Sequence, residues 1–183
     1  MKVLKFGGTS VGSEKNIRQV ISILNDYSEK DNVIAVVSAV GGITNKLLKA
    51  GELAKIQNLE YVSVYEEIHG THIELIKALI PNNNDEIVNN TISNLQSLKQ
   101  LLDGIYLIHE ISPSTTDKLS SYGELLSSQI IAEAMRYQKL DTQVKNSQEL
   151  IVTDDTHTKA EVNYALTNEN IITFFKNTSH KIT

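Results

Sequence analysis

Two short apolar segments near the start of the chain are separated by a stretch with helical periodicity. Residues 3–6 and 33–37 are mainly apolar runs, and they predict two strands. Between them, from about Ser13 to Tyr27, the apolar residues fall on one helical face: Ile17, Val20, Ile21 and Leu24. This order predicts a right-handed βαβ unit in an α/β protein. The unbroken run at 33–37 is typical of a parallel-sheet strand that is covered on both faces.

The middle of the chain has mainly helical patterns. A helix through Leu47 and Leu53 is followed by helical patterns at about residues 60–79, 85–107 and 116–138, with breaks at the Pro and Asn cluster 81–84 and at 112–114. Weaker β signals follow at about 142–145 and 151–152, and a last helix is predicted at 160–175. The long helical stretch predicts an insertion or subdomain that packs beside the sheet.

Composition and charge narrow the class of protein. A chain of 183 residues with 40% hydrophobic and 21% charged residues has the size and balance of one ordinary globular domain. Its net charge of −5 argues against a nucleic-acid partner. The sequence has neither a run of about twenty apolar residues nor a signal-peptide pattern at its start, so we expect a cytoplasmic protein without membrane contact. Cysteine is absent, which removes thiolate chemistry and cysteine-based zinc sites.

The five histidines offer no metal-binding pattern. His69 and His72 would share a helical face, but no carboxylate completes a set of ligands at the usual spacing. We therefore expect no metal site and interpret these histidines as surface residues.

The strongest chemical signal is the segment Lys5-Phe6-Gly7-Gly8-Thr9-Ser10-Val11, which joins the first strand to the first helix. Glycines at this point let bare backbone N–H groups approach an anion, and the following helix N-terminus favours negative charge. A lysine beside such a turn suits phosphoryl chemistry. The simpler alternative is a tight strand-to-helix turn. The segment is neither a Walker loop nor a dinucleotide-binding G-x-G-x-x-G sequence.

Two further segments occur in order along the chain, Ser38-Ala39-Val40-Gly41-Gly42-Ile43-Thr44-Asn45 and Ser121-Tyr122-Gly123-Glu124-Leu125-Leu126-Ser127. Together with the first segment they resemble the signature blocks of aspartokinases, which belong to the amino-acid kinase family. The resemblance runs from Met1 to about Val144. Residues 102–107 also resemble the versions that are fused to homoserine dehydrogenase. The implied fold is the family's three-layer α/β fold with a mainly parallel sheet, here truncated, plus a helical insertion at about 59–112.

The resemblance implies an activity and a set of site residues. The activity is transfer of the γ-phosphoryl group of ATP, bound with Mg²⁺, to the side-chain carboxylate of L-aspartate, the first step of lysine, threonine and methionine biosynthesis. By position, Lys5 matches the catalytic lysine, and it would bind ATP phosphates together with Gly7, Gly8 and Ser10. Ser38, Thr44 and Glu124 match substrate-contact positions. A helix cap for Thr44, a turn hydroxyl for Ser38 and an exposed helix residue for Glu124 are the simpler alternatives.

The resemblance also sets expectations about the whole protein. We expect residues 1–183 to be the amino-terminal part of the kinase domain, without the nucleotide-binding carboxyl half or regulatory domains, and the full-length protein to be a homo-oligomer. The last residues, 181–183, stop where a further strand would be expected. A fragment of this kind would be inactive alone. The alternatives are a non-catalytic binding or assembly fragment and another amino-acid kinase with a different substrate.

Overall fold

The computed structural model describes residues 1–81 and 85–183, with side chains from residue 89 onward in the second part. The elements in chain order are β1 (Lys2–Phe6), α1 (Glu14–Ser28), β2 (Val33–Val37), α2 (Ile43–Lys55), α3 (Glu60–Leu79), α4 (Asp85–Ile108), α5 (Pro113–Tyr137) and α6 (Tyr164–Asn177), with a short 3₁₀ turn at Ser147–Glu149 before α6. The α/β class and the helical stretch after β2 are confirmed. The predicted break at 82–84 lies outside the described residues.

The strands β1 and β2 pair in parallel, with Lys2 opposite Val33 and Phe6 opposite Val37. The last residues of the chain extend this pairing on the other side of β2. The N–H of Val33 donates to the carbonyl of Lys181 at 2.8 Å, and the N–H of Ala35 donates to that of Thr183 at 2.8 Å. Residues 181–183 therefore lie beside β2, on the edge opposite β1.

Ile182 lies between β2 and a second short extended segment. It forms parallel bridges to both Val33 and Thr142 and is only 1% exposed. The strand predicted at 142–145 is reduced to this bridge, so its predicted length is wrong. Most of the pairing that holds these segments is between residues far apart in sequence, and local periodicity does not encode it.

Only one face of β1 and β2 is covered by the described elements. Leu4, Phe6, Ala35 and Val37 pack against the main core, whereas Val3 is 64% and Val36 is 47% exposed. The prediction that residues 33–37 are covered on both faces is therefore wrong for Val36. The described helices that contact β2 are α1 and α5.

The core continues from the sheet into a group of four packed helices, α2 to α5. Helix α2 contacts each of the other three, and α3, α4 and α5 contact one another. The side chains that fill this part of the core include Leu47, Ile68, Leu98 and Leu126, each 0% exposed. His72 of α3 is also buried, so its interpretation as a surface residue is wrong.

The segment after α5 differs from prediction in two places. Residues 151–152 do not form a strand; instead Thr153 and Val162 form a single antiparallel bridge. The last helix starts at Tyr164 rather than 160, because the side chain of Asn163 accepts the N–H of Leu166 and caps it. Thr167 is the buried residue of α6, and its hydroxyl oxygen accepts the N–H of Val152 at 2.9 Å.

Candidate functional site

The turn after β1 leaves backbone donors free. The N–H groups of Ser10 and Val11 donate back to the carbonyl of Gly7, at 2.9 and 3.3 Å. The preceding N–H groups, those of Gly7, Gly8 and Thr9, donate to no acceptor within the described residues. Three successive N–H groups without an acceptor inside the protein are available to an anion. The turn leads into α1, whose start near Ser13 is confirmed.

The cap of α1 explains why the helix begins there. The side chain of Ser13 accepts the N–H of Asn16 at 3.3 Å, and its carbonyl accepts the N–H of Ile17 at 2.9 Å. Asn16 in turn donates through its side-chain amide to the carbonyl of Thr9 at 2.8 Å. This bond ties the first turn of α1 to the glycine turn.

Lys5 places a positive charge over the same turn. Its Nζ lies 3.6 Å from the position that a Cβ on Gly7 would occupy. In the described part of the chain, no carboxylate lies within ion-pairing distance of Lys5. The side chain is exposed. Its ammonium group is therefore available to an anion that is bound at the turn.

The turn after β2 packs directly on the first turn, backbone against backbone. A Cβ on Gly8 would lie 3.1 Å from the carbonyl oxygen of Ala39, and a Cβ on Gly41 would lie 3.4 Å from that of Gly8. Glycine at these positions allows the close approach. Gly42 has a φ of +80°, a left-handed conformation that suits glycine, and it ends the turn at the start of α2. Thr44 then lies in the first turn of α2.

The third segment, in α5, reaches the second turn through two hydrogen bonds. The Glu124 carboxylate accepts the N–H of Ala39 through Oε1 at 3.2 Å, and the Ser127 hydroxyl donates to the carbonyl of Ser38 at 2.7 Å. A Cβ on Gly123 would lie 2.7 Å from the Cβ of Ala39. The absence of a side chain at 123 therefore lets α5 approach the turn.

The structure thus brings the three sequence segments together in one place. Gly7, Gly8 and Ser10 lie on the first turn, and Lys5 lies beside it in β1. Ser38 lies on the second turn, and Thr44 has its Oγ1 only 3.6 Å from the Cβ position of Gly123, next to Glu124. The hydrogen bond from the N–H of Ala39 gives Glu124 a partner inside the protein. Glu124 therefore also has a structural role that needs no ligand. The ligand contacts of all seven residues stay predictions.

Sequence reasoning missed Ser127 as a site residue, although it lies in the third segment. Its side chain is 1% exposed, which is unusual for a serine. The available signal was its spacing, because a residue three positions after Glu124 lies on the same helical face. Pairing with the Ser38 carbonyl was not predictable, since the two residues are 89 positions apart.

Three further observations concern metal binding, a neighbouring cleft and membrane contact. Among the side chains of residues 1–81 and 89–183, no three from His, Asp or Glu are grouped so as to hold a metal ion. A cleft of about 510 Å³ lies between Lys145 and α6, and it is lined by none of the seven predicted residues. The candidate site is therefore separate from this cleft. In the same described ranges, no helix has the length and apolar character needed to cross a membrane.

Several aspartokinases are similar to this chain in sequence. Aspartokinase 1, chloroplastic, of Arabidopsis thaliana is 40% identical over 133 residues, which are 71% of this chain and 22% of that protein. The bifunctional aspartokinase/homoserine dehydrogenase 2 of Escherichia coli is 28% identical over 137 residues, 74% of this chain and 16% of that protein. The chain therefore spans about a fifth of the length of these relatives.

Solved aspartokinase structures have a fold similar to that of this chain. Escherichia coli aspartokinase III in complex with aspartate and ADP matches the whole chain with a TM-score of 0.89 at 24% identity, over 39% of its own length. The same enzyme in complex with lysine and aspartate matches 96% of the chain with a TM-score of 0.85 at 27% identity, over 38% of its length. The amino acid kinase family profile matches residues 1–180. The chain belongs to the amino acid kinase family.

Proposed function

We propose that this chain supplies the phosphate-binding turn and the acceptor-binding residues of an aspartate kinase. The reaction is transfer of the γ-phosphoryl group of ATP to the side-chain carboxylate of L-aspartate. The observation that carries the proposal is the contact between turn 7–12, turn 38–42 and residues 123–127 of α5. The names of the relatives support it, as does the aspartate and ADP complex of aspartokinase III.

The phosphate side of the site consists of Lys5 and the turn that follows it. Gly7 and Gly8 donate their free N–H groups to phosphate oxygens, and Ser10 adds a hydroxyl. The Lys5 ammonium offsets negative charge on the transferring group, where a preorganised positive charge lowers the barrier most. Mg²⁺ arrives bound to ATP, which is its usual manner of binding in phosphoryl-transfer sites.

The acceptor side consists of Ser38, Thr44 and Glu124. A carboxylate nucleophile needs no strong base, so the protein's task is to align aspartate with phosphorus and to reduce repulsion between two anions. Glu124 attracts the α-ammonium of aspartate through the oxygen that does not accept from Ala39. Ser38 and Thr44 lie after β2, at the carboxyl end of the strands, where open α/β sheets bind ligands.

The proposal includes a division of labour within a longer polypeptide. Residues 1–183 form the amino-terminal part of the kinase domain, with the helical insertion at about 59–112. The nucleotide base is bound by a carboxyl-terminal half of that domain, and regulatory domains follow. The complete protein is a cytoplasmic homo-oligomer in this proposal. Coverage of only 39% of aspartokinase III by this chain supports the division.

The test is aspartate-dependent ADP release by the polypeptide that joins this chain to the rest of the kinase domain. We expect Lys5→Ala to lower kcat by about 10²-fold or more, since it removes charge stabilisation that acts mainly in the transition state. Lys30→Ala is the matched control, because Lys30 is an exposed lysine past the far end of α1. It should leave kcat unchanged.

Two results would overturn the proposal. One is ATP consumption that does not depend on L-aspartate or that prefers another acidic acceptor, which would favour a different amino-acid kinase. The other is near wild-type kcat for Lys5→Ala, which would reduce the glycine turn to a strand-to-helix connection.

A further inference from the structure

One peptide group of the acceptor site is held at both ends by the same helix. The carbonyl of Ser38 and the N–H of Ala39 belong to a single planar peptide unit, in which they point in opposite directions. The carbonyl accepts the hydroxyl of Ser127 at 2.7 Å, and the N–H donates to Glu124 Oε1 at 3.2 Å. Glu124 and Ser127 are three residues apart on α5, so their side chains lie on the same face.

We propose that Ser127 is a positioning residue for the acceptor substrate, which rests on the proposed aspartate kinase function. With both ends of the peptide fixed, its plane cannot rotate. This restrains ψ of Ser38 and φ of Ala39, and hence the direction of the Cα–Cβ bond that carries the Ser38 hydroxyl. The same peptide fixes Glu124, because its N–H holds one carboxylate oxygen and leaves the other for the ammonium group of aspartate.

Burial makes the Ser127 hydroxyl an effective anchor. The side chain is 1% exposed, so water cannot readily replace its bond to the Ser38 carbonyl. The hydroxyl also lies 3.2 Å from the carbonyl of Glu124 in its own helix, which limits its rotation. Contact between Gly123 and Ala39 keeps the turn against α5 but has no direction. The two hydrogen bonds therefore set the orientation of the peptide.

The test compares Ser127→Ala with Ser128→Ala. Ser128 is the neighbouring serine on α5, and its hydroxyl donates at 3.1 Å to the carbonyl of Leu125 in the same helix, with no bond to the turn. In the active polypeptide, we expect Ser127→Ala to raise KM for aspartate about fivefold to tenfold, the size expected from losing one buried hydrogen bond. KM for ATP should change less than about twofold, and Ser128→Ala should resemble wild type.

A second measurement does not depend on activity. Hydrogen exchange at the Ala39 amide, followed by NMR on the 183-residue chain, should become about tenfold faster in Ser127→Ala, because the peptide loses one of its two anchors. Exchange at amides in the middle of α5 should stay as in wild type, which separates release of the turn from unfolding of the helix.

The outcomes separate this inference from the proposed function. If the wild-type polypeptide lacks aspartate kinase activity, the proposed function fails, and the Ala39 exchange still decides whether Ser127 holds the peptide. If wild type is active, equal kinetics for the Ser127 and Ser128 variants would overturn the inference. It would also be overturned if KM for aspartate and KM for ATP rose together, since Ser127 would then be a general packing residue.

Discussion

At the scale of single residues, His72 is the least expected feature of the helical part of the chain. Its imidazole is 0% exposed, and Nδ1 lies 2.7 Å from the carbonyl oxygen of Ile68, to which it donates when protonated. Nε2 has no hydrogen-bond partner within the described residues. Burial lowers the pKa of His72 below its ordinary value of 6.5, more than the hydrogen bond to Ile68 raises it. The folded protein therefore holds this ring neutral.

This neutral ring predicts a pH dependence of stability. In the unfolded chain His72 takes up a proton near pH 6.5, but in the folded chain it does so only at lower pH. The contribution of His72 to the free energy of unfolding is therefore greatest above about pH 6.5 and falls as the pH drops below it, because the unfolded state then binds more protons. We expect His72→Leu to weaken this dependence, measured by urea unfolding at about pH 7.5 and about pH 5.5.

Ile76→Val is the control for this prediction. Ile76 is buried on the same helix but carries no titratable group, so its replacement should leave the pH dependence close to that of wild type. If the wild-type and His72→Leu proteins lose the same free energy of unfolding between the two pH values, the neutral buried ring is not the cause of the dependence.

At the scale of elements, α5 approaches the second turn only because residue 123 lacks a side chain. We expect Gly123→Ala to lower the free energy of unfolding by about 1–3 kcal/mol, since a Cβ at 2.7 Å from that of Ala39 forces the helix and the turn apart. Urea unfolding measures the change. The same variant should also lengthen the Glu124–Ala39 hydrogen bond and raise KM for aspartate.

Gly104 is the matched control for Gly123. It lies inside α4, and a Cβ there would meet no atom within 4 Å. Gly104→Ala should therefore stabilise the protein by up to about 1 kcal/mol, the usual gain when alanine replaces glycine in a helix. If Gly123→Ala and Gly104→Ala destabilise the protein equally, contact with Ala39 is not the reason why position 123 requires glycine.

The elements also show how far the sequence could predict the fold. Helical periodicity located α1, and the buried residues Ile17, Val20, Ile21 and Leu24 are those predicted. Pairing of Ile182 with Val33 and Thr142 was not predictable, because these contacts are single bridges between segments that are distant in sequence. For the candidate site, by contrast, the sequence segments 5–11, 38–45 and 121–127 already contained the residues that the structure brings together. The hydrogen bonds that fix them, such as Ser127 to Ser38, depend on tertiary packing.

At the scale of the whole molecule, the chain presents the proposed phosphate-binding turn on a partly covered sheet. The donors of that turn are local, since they are the N–H groups of Gly7, Gly8 and Thr9 beside Lys5. The exposed face with Val3 and Val36 has no covering element among the described residues. Because its donors are local, the turn should bind an anion without the residues outside this chain that catalysis needs in our proposal.

We predict that the 183-residue chain alone binds inorganic phosphate weakly but shows no measurable aspartate-dependent ATP consumption. In our proposal the nucleotide base is held by residues outside this chain, and positioning of both reactants can contribute about 7–11 kcal/mol to the rate of such a reaction. Phosphate titration followed by NMR should shift the amide signals of Gly7, Gly8 and Thr9, and Lys5→Ala should weaken that binding. ADP release, measured in parallel with excess ATP, Mg²⁺ and aspartate, should stay at background. Robust turnover by this chain would show that its own residues, including those assigned to the helical insertion, form the nucleotide site, and the proposed division of the kinase domain would be wrong.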